Sequence, residues 1–386
     1  MRHLTQALIT INALLVVAVA APHGISYSHI QHHKRDVPDP NLAPNLGTKV
    51  EVELHPFPHH HNNHDHHYGG HGHGHHGKPS QLPPKKRKFG ISYSPYNTDS
   101  TCKSQDEVNA DIDRLVSLST PPPPENNDGE ESDYSFIRIY GIDCNQTATV
   151  TTAAKRHKLR VFAGIFDLSD FPHSLDAIID VAHSHSTGPE KRDEEEAQQN
   201  GWDIFHTIAI GNELVQTYQA TIPEVISALH QARSILRSAG YQGPVVTVDT
   251  YTMLLAHPEL CEASDYCAAN CHVFFDATQT PDKAGDYAID VARRISKGTE
   301  GKNGGRKRTV IAESGWPHDG APNGKAVPSG ENQRVAVDSL RRVFREQGED
   351  DGDGDAGLVL FTAFDDLWKT DNEGTFGAEK FWGINR

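Results

Sequence analysis

The chain has 386 residues, with 36 Lys+Arg against 52 Asp+Glu and a formal net charge of −16 at pH 7. Residues 1–88 carry a balance of +4 and the remainder −20; so acidic a body argues against nucleic acid as a partner and suits a neutral substrate. The length fits one large domain with additions, or two medium ones.

Met1 to Ala21 reads as a secretory signal. Arg2 and His3 precede an apolar run, Ala7 to Ala20, that is too short to span a bilayer, and Ala18-Val19-Ala20 has the small-residue cleavage pattern. No later stretch is apolar enough to cross a membrane, and the last residues lack the hydrophobic tail of a lipid anchor. A secreted protein with no membrane partner is expected.

Residues 22–88 are rich in His, Pro, Gly and Asn and poor in aliphatic side chains. They cannot bury enough apolar surface to offset their ordering entropy and read as a disordered spacer or pro-segment. Dibasic sites, Lys34-Arg35 and the stretch Pro83 to Lys88, bracket eleven histidines between His55 and His76. These histidines are expected to bind metal adventitiously, because the Gly and Asn among them offer nothing to hold a ring in place.

From Phe89 the texture changes. Eight short apolar or β-branched runs follow: KFGISYSPY, SFIRIYG, LRVFAGIF, FHTIAIGNE, PVVTVDT, YCAANCHVFF, RTVIAESGW and GLVLFTAFDD. Helix-patterned stretches separate them, such as the one with apolar residues at Ile222, Val225, Ile226, Leu229, Ala232 and Ile235 and a stop at Gly240. Eight strand–helix alternations in residues 89–386 predict an α/β fold, a (β/α)₈ TIM barrel. Three polar, turn-rich loops, 120–133, 187–201 and 346–357, read as insertions; the last lacks the glycine and closing glutamate of a calcium loop.

The five cysteines lie at 102, 144, 261, 267 and 271, so at least one is unpaired within the chain. Cys102 with Cys144 is a plausible bridge, since both follow neighbouring strands. Cys267 and Cys271 share a strand and stand about 13 Å apart, too far to bond.

In such a barrel, active-site residues project from the C-terminal strand ends. The polar residues there include Tyr93, Tyr96, Arg138, Tyr140, Asn212, Asp249, His272, Asp365, Asp366 and Lys369, with Trp316 and Trp368 as further sugar contacts. Glu213 ends the fourth run and Glu313 the seventh, each among small or apolar neighbours, where a charge must be paired or functional. Either one alone is as readily a rim salt bridge. Facing each other across the mouth, they are the two carboxylates that glycosidic cleavage requires, and that chemistry needs no cofactor.

The motifs IAIGNE and TVIAESGWP resemble glycoside hydrolase family 17, the β-1,3-glucanase family. FGISYSPYN, IRIYGIDCNQ, CHVFFDA, FTAFDDLWK and FWGI are similar to its secreted fungal cell-wall members, over about residues 88–386. The resemblance implies a retaining double displacement with Glu213 as acid/base and Glu313 as nucleophile, about 5–5.5 Å apart. It implies Asn212 on the sugar 2-hydroxyl, and Asp365, Asp366 and Lys369 along the subsites; Asp366 stands where many members have glutamate. The implied partner is β-1,3-glucan and the implied location the cell wall. Asn145 opens a glycosylation sequon. A wall-remodelling transglycosylase and a non-catalytic glucan-binding or adhesion protein remain the alternatives; the intact glutamate pair speaks against the second.

Overall fold

The computed structural model describes residues 88–119, 132–185, 200–301, 305–348 and 355–386. The signal, the histidine-rich segment and most of the three insertion loops lie outside the described residues.

Eight parallel strands close into a barrel in chain order. They are β1 (Lys88–Ser92), β2 (Tyr134–Arg138), β3 (Arg160–Ile165), β4 (Phe205–Asn212), β5 (Val245–Thr250), β6 (Cys267–Asn270), β7 (Thr309–Ser314) and β8 (Asp355–Leu360). Each lies within one of the eight runs read from the sequence, save that β2 starts one residue before its run and β8 two before. Closure is made where Ile91 of β1 pairs with Leu360 of β8. The helices are α1 (Gln105–Ser119), α2 (Gln146–Arg156), α3 (Asp176–His185), α4 (Ile222–Ser238), α5 (Tyr251–Ala256), α6 (Pro258–Ala263), α7 (Ala284–Gly298) and α8 (Gly330–Gln347).

Strand periodicity sorts the core into two shells. Phe136, Phe162, Ala209, Val246, Val248, Ala268, Val310, Ala312 and Val359 fill the barrel interior. The alternate residues, such as Ile137, Ile208, Ala269 and Ile311, pack outward with the helices. Buried on both faces, β4, β5 and β7 are continuous buried runs. In α4, Thr221 and Glu224 form a capping box and Pro223 opens the first turn, while Val225, Leu229, Ala232 and Leu236 face the barrel.

Cys102 is bonded to Cys144, tying the loop after β1 to the loop after β2. Cys261 at the end of α6 is bonded to Cys267 at the start of β6, with Cα atoms 4.7 Å apart, a pairing the sequence left open. Cys271 is free and buried. Among the described residues, no helix is long and apolar enough to cross a membrane.

Candidate active site

Between a buried polar group at the strand starts, formed by His206, Thr207 and Tyr266, and the C-terminal end, the barrel interior is apolar; at the C-terminal end the inward positions turn polar again. Arg138 is in phase with Phe136 on β2, and Asn270 with Ala268 on β6. Both glutamates follow register irregularities: the β4–β5 pairing shifts between Ala209 and Asn212, and the β6–β7 pairing shifts so that Asn270 sits opposite Glu313. Such irregularities re-aim side chains at barrel rims. Gly211 serves the first, with φ +85° and no room for a Cβ, which would lie 2.5 Å from Leu214 Cδ1. Glu213 itself is left-handed, φ 56°, a strained backbone of the kind found at functional sites.

Two side chains connect the glutamates. Arg138 Nη1 donates to Glu313 Oε1 at 2.9 Å, to Ala312 O at 2.8 Å and to Asn270 Oδ1 at 3.1 Å. Arg138 Nη2 donates to Asn212 Oδ1 at 2.7 Å. Asn270 Nδ2 in turn donates to Glu213 Oε1 at 2.8 Å. On the other side of Glu313, Oε2 lies 2.9 Å from His272 Nε2. The His272 ring is packed edge-on against Phe361 and Trp382.

These environments drive the two carboxyls apart. Glu213 is pushed up to about 8, by burial first and then by the nearby Glu313 charge, against the pull of the Asn270 hydrogen bond. Burial acts on Glu313 in the same sense, but the Arg138 cation and the His272 hydrogen bond outweigh it and hold Glu313 below the usual glutamate range. One carboxyl is thus kept protonated and its neighbour ionised.

Around this centre, Tyr140 lies under the Arg138 guanidinium, 4.6 Å from its ring centroid, and burial and then Glu313 raise its phenol. Lys369 Nζ is 3.1 Å from Asp366 Oδ2 and 3.8 Å from Glu379 Oε1, all three buried. Trp368 Nε1 donates to Asp366 Oδ1, and the Trp368 ring packs 4.6 Å from that of Tyr96, whose hydroxyl donates to Asp143. Arg138, Tyr140, Asn212 and His272 therefore gather about the glutamates, with Tyr96, Asp366, Trp368 and Lys369 in a second group on the loops after β1 and β8.

Four expected sugar contacts are engaged elsewhere. Tyr93 is 1% exposed and its hydroxyl donates to Asp111 on α1. Trp316 is fully buried, edge-on to Phe274, and donates to Val327 O. Asp249 accepts from the backbone N–H groups of Val215 and Thr250, so it holds the loop behind Glu213. Asp365 accepts from Gly383 N–H and faces His318 Nε2 at 3.0 Å. A strand-end position does not reveal whether a side chain turns into the mouth or back toward the helices.

Asn270 and Glu379 were not picked out from the sequence. Asn270 was the single polar residue of the CAAN strand and in phase with the interior, a signal that was present. Glu379 lies outside any strand, and nothing local marks it. Asn145 is exposed at the start of α2. Among the described residues, no group of three or more His, Cys, Asp or Glu is arranged to hold a metal ion.

A family model described as the BtgE/BtgC glycoside hydrolase domain matches residues 90–383. The cell surface mannoprotein MP65 of Candida albicans is 35% identical over 295 residues, covering 76% of this chain and 66% of that protein. The probable family 17 glucosidase SCW4 of Saccharomyces cerevisiae is 37% identical over 295 residues, covering 76% of this chain and 64% of that protein. The chain thus spans slightly under two thirds of the length of these relatives. A solved β-1,3-glucanosyltransferase of Rhizomucor miehei, an active-site mutant in complex with laminaritriose, shares the fold with a TM-score of 0.56 at 19% identity, over 77% of this chain and 92% of that one. With a family match running from the first barrel strand to the last turns of the chain, this protein belongs to the BtgE/BtgC glycoside hydrolases, within glycoside hydrolase family 17.

Proposed function

We propose that this protein cleaves β-1,3-glucan of the fungal cell wall by a retaining double displacement, with Glu313 as nucleophile and Glu213 as acid/base. One observation carries the reading: two buried carboxyls at one barrel mouth, linked through Arg138 and Asn270, are driven to opposite protonation states.

In the first step the ionised Glu313 carboxylate attacks the anomeric carbon, the glycosidic bond breaks, and the Glu213 proton passes to the departing oxygen. Arg138 and His272 hold Glu313 ionised and aimed. Once Glu313 is esterified its charge is gone, and Glu213, now a carboxylate, takes the proton from the water that attacks the same carbon as the ester bond to Glu313 breaks and releases its carboxylate. Free enzyme and a sugar of retained configuration result. With its oxygen taken by Arg138, Asn212 has its amide N–H groups left to donate to the sugar 2-hydroxyl. The names of the relatives, a cell surface mannoprotein and family 17 glucosidases, support an extracellular wall location and a glucan substrate.

The test is incubation of purified protein with a soluble β-1,3-glucan, following chain length and the anomer first released by NMR. Shortening with retained configuration is expected, and Glu313→Gln should lower turnover by at least about 10³-fold, since loss of the nucleophile removes the covalent step, while glucan binding persists. Undiminished turnover in that variant would overturn the assignment.

A further inference from the structure

The loop after β4 carries a feature that catalysis as described does not use. Tyr218 is 89% exposed, the most exposed large hydrophobic side chain among the described residues. Its backbone is left-handed, φ 57°, a conformation that Gly or Asn adopts at less cost than an aromatic residue. A lone exposed aromatic is ordinary; one held on a strained and tightly bonded backbone beside an active site asks for a reason.

The loop is rigidly closed. Thr217 donates both its N–H and its hydroxyl to the carbonyl of Glu213. Tyr218 N–H bonds Val215 O, and the N–H groups of Gln219 and Ala220 both reach Leu214 O. Leu214 is buried, Val215 N–H is held by Asp249, and Thr250 donates to Gln216 Oε1. Seven hydrogen bonds thus fix the position from which the Tyr218 ring stands into solvent, in a loop whose first turn is bonded to the backbone of Glu213.

We propose that Tyr218 is a stacking platform for the sugar on the leaving-group side of the scissile bond, and so a specificity-determining residue for longer chains. The inference rests on the glycosidase reading above. Glu213 hands its proton to the oxygen of the departing sugar, so that sugar must lie beside Glu213 and its loop, whereas the sugar that becomes esterified lies over Glu313 with Arg138 and His272. A pyranose presents an apolar C–H face, and an exposed phenol ring offers it a flat, low-entropy partner with a hydroxyl at the edge for a sugar hydroxyl. The same stacking would favour a sugar over water as acceptor in the second step.

The experiment compares two substrates of the full-length protein: a β-1,3-linked glucose hexasaccharide, and an aryl β-1,3-glucobioside whose leaving group is a phenol and carries no sugar. The readout is the ratio of their kcat/KM values. Tyr218→Gly keeps the left-handed backbone comfortable and removes the ring; it should lower the ratio about tenfold, equivalent to about 1.4 kcal/mol. Tyr218→Phe should restore most of it. A ratio equal to that of the unsubstituted protein, or an equal fall on both substrates, overturns the platform and leaves the glycosidase reading standing. No turnover of either substrate by the unsubstituted protein overturns the glycosidase reading, and the platform with it.

Discussion

Arg138 and Glu313 form an ion pair at 2.9 Å, their side chains only 2% and 4% exposed. The guanidinium also bonds Asn270, Asn212 and a β7 carbonyl, so one cation from β2 fixes groups from β4, β6 and β7. Removing it leaves the buried Glu313 charge without its cation, with the His272 hydrogen bond remaining. Arg138→Met is expected to lower unfolding stability by about 3–5 kcal/mol and to abolish measurable turnover; Arg138→Lys keeps the charge but not the fork and should fall between. Denaturant unfolding alongside initial-rate assays checks both.

The pH profile of kcat/KM should be bell-shaped. Its alkaline limb follows loss of the Glu213 proton near pH 8, and its acid limb follows protonation of Glu313 below the usual glutamate range. Asn270→Ala removes a hydrogen bond that favours the ionised form of Glu213, so the alkaline limb should move to higher pH as the maximal rate falls. A limb that stays in place or moves down would refute the link.

Glu213 also bears on stability. Its folded-state value lies above the ordinary 4.5, so the folded protein binds a proton that the unfolded chain releases, and stability is lost as pH rises from about 4.5 toward about 8. Glu213→Gln has no such loss and can still accept from Asn270. It should therefore melt higher than the unsubstituted protein at pH 7, with the gap closing toward pH 4, while losing activity. Melting temperatures across that range decide the matter.

His272 contacts Glu313, the proposed nucleophile, which predicts a role exerted through that carboxylate. Its hydrogen bond helps hold Glu313 ionised, so His272→Phe should shift the acid limb upward and lower kcat, and His272→Gln, which retains a donor, should shift it less. The pH profiles of the two variants separate this from a purely structural effect.

Trp316 tests the reassignment of a residue that sequence position alone would put on the substrate. Fully buried against Phe274, it should cost about 3–5 kcal/mol of stability when truncated to Ala, with KM for glucan unchanged at a temperature where the variant is folded.

Much of this protein was determined by its sequence alone. Eight runs of strand length with helical patterns between them leave a barrel as the way to bury every strand on both faces, and two glutamates among small residues could only be paired or functional. The Cys102–Cys144 bridge followed from the same topology. Tertiary structure decided what depends on side-chain direction and on contacts between distant strands. Irregular register, not strand order, turns Glu213 and Glu313 to their places. Barrel closure brings Arg138, 175 residues from Glu313 in the chain, to the one position where it holds Glu313 ionised, and brings Asn270 against Glu213. Direction likewise separates Tyr93, which turns toward α1, and Trp316, which packs on Phe274 and bonds Val327 O, from Tyr140, which turns toward Arg138. Sequence spacing carries none of this, because a pKa and a contact are properties of the space around a group and not of its neighbours along the chain.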